Sequence, residues 1–207
     1  MDREILKKVT YGMYVLTTSN DGKQAGCIIN TFNQITSQDY LISVSVNKDN
    51  YTNQVIKESK RFAVSIISEK TSSNVIATFG FTSSKDTDKF KNVDYEMIDN
   101  LPVLKENTCG YLICELVQII DCNTHDLMIA KVIVSSCAND NKPMTYQYYH
   151  EVIKGSSPKK APTYIEETLD ENEAYVCDIC GYVHDGPVPD DFVCPVCGVN
   201  ASHFKKK

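Results

Sequence analysis

Polar and apolar residues alternate along residues 41–46, where Ile42, Val44 and Val46 are separated by Ser43 and Ser45, the period of a half-buried strand. Similar runs, rich in Val, Ile, Thr and Tyr, lie at Tyr14 to Thr18, Ala25 to Ile29, Arg61 to Ile67, Cys109 to Ile120 and His125 to Ser135. Asn20-Asp21-Gly22 and Asn123-Thr124 stand between neighbouring runs as hairpin turns, so the strands are expected to be antiparallel and to close as a barrel. Helical spacing appears only briefly, at Thr52 to Ser59 and Ser72 to Phe79, each opened by a residue able to cap a first turn. The pattern predicts a mainly β architecture with short helices.

At 207 residues the chain is long enough for one full domain and a small second one. Its net charge of −6 argues against a basic nucleic-acid-binding face. No stretch approaches the roughly 20 apolar residues of a membrane span, and Tyr111 to Ile120, the best candidate, carries Glu115 and Gln118. The charged opening MDREILKK has no apolar signal region, so a cytoplasmic protein is expected. In that compartment disulfides are rare, and nine cysteines point to metal ligation where clustered and to buried thiols where scattered.

Five cysteines, Cys27, Cys109, Cys114, Cys122 and Cys137, are scattered and read as small buried hydrophobes. The other four form Cys177-Asp-Ile-Cys180-Gly and Cys194-Pro-Val-Cys197-Gly, two identical turns that can bring four thiolates into a tetrahedron. Gly181 and Gly198 supply the residue that a tight turn after each pair favours. A catalytic dithiol explains one such pair and not two. Spacing leaves zinc and iron both open, because a zinc ribbon and an iron–tetrathiolate centre use the same ligands. So small a segment needs its metal in order to fold. Ahead of it, five acidic residues within Glu166 to Glu173, and a turn-prone stretch from Gly155 to Pro162, mark a solvated linker. The expected organisation is a barrel domain over residues 1–160, a linker over 161–172 and a metal domain over 173–207.

The segment AYVCDICGYVH…DDFVCPVCG, with Tyr175, Tyr182, Phe192 and Phe204 around the cysteines, resembles the short rubredoxin found at the ends of longer chains. That resemblance implies iron, held by Cys177, Cys180, Cys194 and Cys197. Residues 173–204 carry five acidic groups and no Lys or Arg, a face able to steer docking of a basic redox partner or simply to keep the segment soluble.

Neither a Walker A pattern nor a Gly-x-Gly-x-x-Gly occurs in the larger part. Clustered hydroxyls and amides occur instead, at Asn30-Thr31, Gln34 to Ser37 and Asn47 to Asn53, with Thr52 at a helix start where free N–H groups favour an anion. The run YVLTTSNDGKQAGCIINTFNQITSQ, followed by SVSVNKDNYTNQVI, FGFTSSKDTDKF, THDLMIAKVI and MTYQYYHEVIKG, resembles the flavin reductase-like family, which binds FMN in a split-barrel dimer. Joined to a rubredoxin segment, it is similar to the high-molecular-weight rubredoxins of anaerobic bacteria.

The resemblance implies that Asn30, Thr31, Gln34, Ile35, Thr36 and Ser37 lie along the flavin ring, largely through backbone groups. It implies further that Asn47, Tyr51, Thr52 and Lys89 surround the rest of the cofactor, with Thr52 and Lys89 on the phosphate. His125 matches a histidine that approaches the flavin at the start of a strand, and is the catalytic candidate. Tyr146, Tyr148 and Tyr149 form an aromatic cluster, of which Tyr149 is expected to border the flavin. The implied function is electron transfer from NAD(P)H, directly or through an NADH:rubredoxin-type reductase, to FMN, then to iron, then to an acceptor such as a flavodiiron dioxygen or nitric oxide reductase. An NAD(P)H:flavin oxidoreductase with a structural or docking metal segment is the alternative. A zinc-ribbon interaction module on an inactive barrel is a third.

Overall fold

In the computed structural model, the described residues are 3–153, 155, 157, 161–163 and 174–206. The acidic stretch from Glu166 to Glu173 therefore lies outside them. Seven strands make one antiparallel sheet: β1 (Tyr14–Asn20), β2 (Lys23–Ile29), β3 (Asn33–Gln34), β4 (Leu41–Asn47), β5 (Arg61–Ile67), and, further along the chain, β8 (Thr108–Cys122) and β9 (His125–Cys137). Their order is β2-β1-β5-β8-β9-β4-β3. Between β5 and β8, β6 (Tyr95–Ile98) and β7 (Leu101–Leu104) form a separate hairpin.

The turns follow backbone chemistry. Asp21 and Gly22 both have positive φ, 49° and 77°, which suits the right-handed twist of the β1–β2 hairpin. Asp99 and Asn100, at 50° and 63°, do the same for β6–β7. Register shifts between Ile113 and Cys114 and between Leu116 and Gln118 bend the long β8–β9 ribbon.

Strand alternation sends neighbours to opposite sides. Val15 and Ile67 pack with Ile76 and Phe79, whereas Leu16, Val44, Phe62, Cys114 and Met128 form a second core. Phe62 is fully buried, and burial of such a side chain contributes about 1.5–3 kcal/mol. Helix α1 (Tyr51–Ser59) is capped by Asn50, whose Oδ1 accepts from the Thr52 N–H at 3.0 Å, and it ends at Lys60 in the left-handed region, φ 58°. Its inner face carries Thr52, Asn53, Val55 and Ile56. Helices α2 (Ser73–Phe81) and α3 (Tyr146–Glu151) cover the other side.

A three-stranded sheet, β11-β10-β12, completes the chain from β10 (Ala174–Cys177), β11 (Val183–Asp185) and β12 (Phe204–Lys206). Phe204 of this sheet and Val196 of the second cysteine turn join the cluster of Ile76, Phe79 and Tyr149, so this small part packs against the barrel. The scattered cysteines divide. Cys27 and Cys114 are buried as expected, but Cys109 is only partly buried and Cys122 and Cys137 are exposed, because the end residues of β8 and β9 have solvent beside them.

Candidate metal centre and anion pocket

Two turns of the same shape build the metal centre. Gly181 N–H bonds the Cys177 carbonyl at 2.9 Å, and Gly198 N–H bonds the Cys194 carbonyl at 2.9 Å. Both glycines have positive φ, 74° and 72°, a conformation that a Cβ would strain. The four sulfurs lie within 4.8 Å of one another, with Cys177 and Cys197 at 3.6 Å and Cys180 and Cys194 at 3.5 Å. A tetrahedron with metal–sulfur bonds of about 2.3 Å has edges of about 3.8 Å, so the spacing suits one tetracoordinate ion.

All four cysteines are buried. Backbone N–H groups of Tyr182, Val196, Cys197 and Val199 reach their sulfurs and favour thiolates. Cys194, accepting from Cys180 and from the backbone, is pulled down to about 5, while burial pushes Cys197 up to about 12. Phe192 meets Phe204 edge-on at 5.3 Å and lies parallel to Tyr182 at 6.3 Å, an aromatic shell about the centre.

A second polar site lies where α1 begins. Lys89 is 4% exposed, and its Nζ donates to the carbonyls of Gly26 at 2.8 Å and Phe79 at 3.4 Å. No carboxylate of the described residues pairs with it. Burial lowers its pKa to about 8, partly offset by the Cys27 thiol. The hydroxyl of Thr52, fully buried, makes no well-formed hydrogen bond and stands beside that same sulfur, a weak acceptor. Ser84 Oγ accepts from the Gly26 N–H at 3.0 Å. A buried cation, a buried hydroxyl and a helix N-terminus together suit a dianion. Gly26 allows the close packing, since a Cβ there would stand 2.7 Å from the Phe79 ring. A glycine inside a strand is the available signal for this approach; Asn50 stands in the Asn47 to Asn53 cluster, and Cys27 and Ser84 carry none.

The other sequence-predicted residues fall into three neighbourhoods. Asn47 pairs with His125 across β4 and β9. His125 Nδ1 lies 2.9 Å from Thr124 Oγ1, and its Nε2 is buried with no partner. Next to it, Asp126 is fixed by Lys57 at 2.6 Å and Asn53 at 2.9 Å, both from α1. Burial pushes the Asp126 carboxyl up, but those two bonds outweigh it and hold the pKa low. Tyr51 opens α1. Thr31 Oγ1 is tied to Ser45 through both backbone groups.

In the turn after β3, the N–H groups of Ile35 and Thr36 both donate to the Leu41 carbonyl, at 2.7 and 3.2 Å, and Gln34 Nε2 donates to the Thr36 carbonyl. Ile35 and Ser37 are exposed. The backbone of this turn is thus largely engaged with itself. Asn30 is buried and donates to Thr163 Oγ1 at 3.0 Å, and Thr163 in turn donates to the Tyr146 hydroxyl at 3.0 Å. Tyr149 lies beside Tyr146 and is buried.

Residues 6–155 match the model of the flavin reductase like domain, and residues 175–205 match that of the rubrerythrin, rubredoxin-like domain. The chain is 33% identical to the high molecular weight rubredoxin of Moorella thermoacetica, with all of both chains covered. It is 33% identical to a ferric-chelate reductase (NAD(P)H) of Archaeoglobus fulgidus, over 80% of this chain and 99% of that one. Among solved structures, nitrilotriacetate monooxygenase component B of Mycobacterium thermoresistibile is similar at a TM-score of 0.61 and 26% identity, covering 68% of this chain and 76% of that one.

Proposed function

From the premise that this chain belongs to the flavin reductase-like family and, with its rubredoxin-like end, to the high molecular weight rubredoxins, oxidoreductases both, we propose that it carries electrons from NAD(P)H through FMN to iron. The donor is NAD(P)H itself or an NADH:rubredoxin-type reductase. The iron is held by Cys177, Cys180, Cys194 and Cys197, and the acceptor is a redox protein of the flavodiiron type. One observation carries the reading: a closed, buried four-thiol site packs against a flavin reductase-like barrel in the same chain. Four thiolates leave no coordination position for a substrate, so the site suits one-electron exchange rather than binding chemistry.

Bound flavin would supply the step between two-electron and one-electron chemistry. Lys89 and Thr52 suit its phosphate, because the one has an unmatched charge and the other an unmatched hydroxyl. The buried, unpartnered Nε2 of His125 suits a hydrogen bond to the ring system, with Asn47 opposite. Asn53 and Lys57, by fixing Asp126, hold His125 in place. In the turn from Gln34 to Ser37, what is left for a ligand is the exposed side of the loop rather than the N–H groups of Ile35 and Thr36. Val117, Ile120, Ile133 and Val134, exposed along the β8–β9 ribbon, suit the contact of a homodimer. Nine cysteines with no disulfide among them suit the cytoplasm. No described helix is long and apolar enough to cross a membrane.

Anaerobic mixing with NADH tests the proposal, with flavin and iron bands followed separately. Reduction of flavin and then of iron, in the presence of the reductase if not without it, is expected. A colourless protein loaded with zinc would overturn the reading. The match to a ferric-chelate reductase over 99% of that shorter chain favours a second reading, a free-standing NAD(P)H:flavin oxidoreductase with the metal part as a docking module. Rapid flavin reduction by NADH with the iron left oxidised would support it.

A further inference from the structure

The small sheet meets the barrel beside α3, and Tyr149 stands in the meeting. Tyr149 is 2% exposed, and it belongs to the same buried cluster as the four ligand cysteines. Burial first, and then the Cys180, Tyr146, Cys194 and Cys197 groups, push its hydroxyl pKa up. Its ring lies parallel to that of Tyr146, with centroids 6.2 Å apart and an angle of 24° between planes. Gly155 closes on the ring from the other direction. Its N–H bonds the Tyr149 carbonyl at 3.0 Å, and a Cβ at that position would stand 2.1 Å from the ring, so no other residue fits.

Tyr146 extends the contact into the barrel. Its hydroxyl meets Ser157 Oγ at 2.6 Å and Thr163 Oγ1 at 3.0 Å, and Thr163 accepts from Asn30 at 3.0 Å. Asn30 directly follows β2. A line of contacts thus runs from Asn30 through Thr163 and Tyr146 to Tyr149, which shares its buried cluster with the four thiols. Beside it Ile76 and Ile153 of the larger part and Tyr182 and Pro195 of the smaller line one shared cleft.

We propose that Tyr149 is a positioning residue that docks the four-cysteine centre on the barrel of its own chain, with Tyr146 and Thr163 as the strap that holds it. The metal centre then works at a fixed place within one subunit instead of swinging on the linker. A short tether keeps the two parts at an effective concentration of about a millimolar, so even a contact too weak to join separate molecules keeps the docked state populated. The docking stands on geometry alone; its use, to fix the distance electrons cross, rests on the function proposed above.

Hydrogen exchange on the full-length, metal-loaded protein tests this. Tyr149→Leu should speed exchange about tenfold or more, the factor that 1.4 kcal/mol corresponds to, both in Ser73–Phe81 and around Cys194 to Cys197. Metal content and exchange in β1, β5 and β8 should stay as in the parent. Tyr149→Phe keeps the ring and should restore the parent pattern. Unchanged exchange on either face in Tyr149→Leu would overturn the proposal. Should that variant fail to fold, X-ray scattering from the unaltered protein decides: one docked arrangement is expected, and an ensemble of separated lobes would refute docking. Neither readout needs electron flow. An iron centre that NADH and its reductase never reduce, in a protein that exchanges as docked, would refute the function and leave the docking intact.

Discussion

Lys89 Nζ donates to the carbonyl of Gly26 at 2.8 Å inside the fold, where none of the described carboxylates meets it. The two residues are 63 positions apart, and the contact places a cation against the middle of β2. Its pKa, about 8 against an ordinary 10.5, measures how poorly the fold alone solvates it.

Opposite pH trends follow for the flavin-free and flavin-loaded protein. A lysine whose folded pKa is lowered costs stability fully below about pH 8, and the cost is relieved as pH rises toward 10.5. The flavin-free protein should therefore gain stability above pH 8, whereas flavin retention should weaken over the same range as the ammonium is lost. Denaturant titrations and flavin release at pH 7 and 9.5 check both, with Lys89→Met expected to abolish each trend and to weaken retention by about tenfold or more.

Thr52→Val should separate binding from folding. The hydroxyl it removes is buried without a good partner, so the flavin-free protein should keep or gain stability, by up to about 1 kcal/mol. Flavin affinity should fall. Parallel losses of both would show that Thr52 serves the fold alone.

His125→Leu should likewise leave the fold standing, since Nε2 bonds nothing in it. Loss of one net hydrogen bond to the ring, about 1 kcal/mol, should weaken flavin binding about fivefold and shift the flavin midpoint potential. A potential identical to that of the parent would remove His125 from the site.

Stripping the metal with a chelator should unfold residues 174–206 while the seven-stranded sheet persists, because three strands of three or four residues bury too little to hold alone. Far-ultraviolet circular dichroism should show a small loss, reversed by Fe(II). Cys194→Ser should mimic the loss without touching flavin retention.

Where the chain was legible, short-range physics sufficed. The alternation of Ile42, Val44 and Val46 specified β4, and two Cys-x-x-Cys-Gly turns specified a four-sulfur site before any coordinate. Helix α3 was not legible. Tyr146–Glu151 is too short to show a period, and its tyrosines read as an aromatic cluster because only tertiary packing makes them helical. The β6–β7 hairpin escaped for another reason: β7 is buried along its whole length, so Leu101–Leu104 shows no alternation, and Asp99-Asn100 is a less evident turn than one containing glycine. Cys27, beside Lys89 and Thr52, could not be told from any buried thiol, since what joins the three is a crossing of β2, α1 and the segment after α2 that lies far apart in sequence.

Burial of all four ligand sulfurs bears on how the protein is made. Once the small sheet has closed, an ion enters or leaves only as the sheet reopens, so metal exchange is paced by local unfolding of that part. The ion in a mature molecule then lags behind changes in the metals around it. Cells grown short of iron would fill the site with zinc, and later iron would replace it only as fast as the small sheet opens.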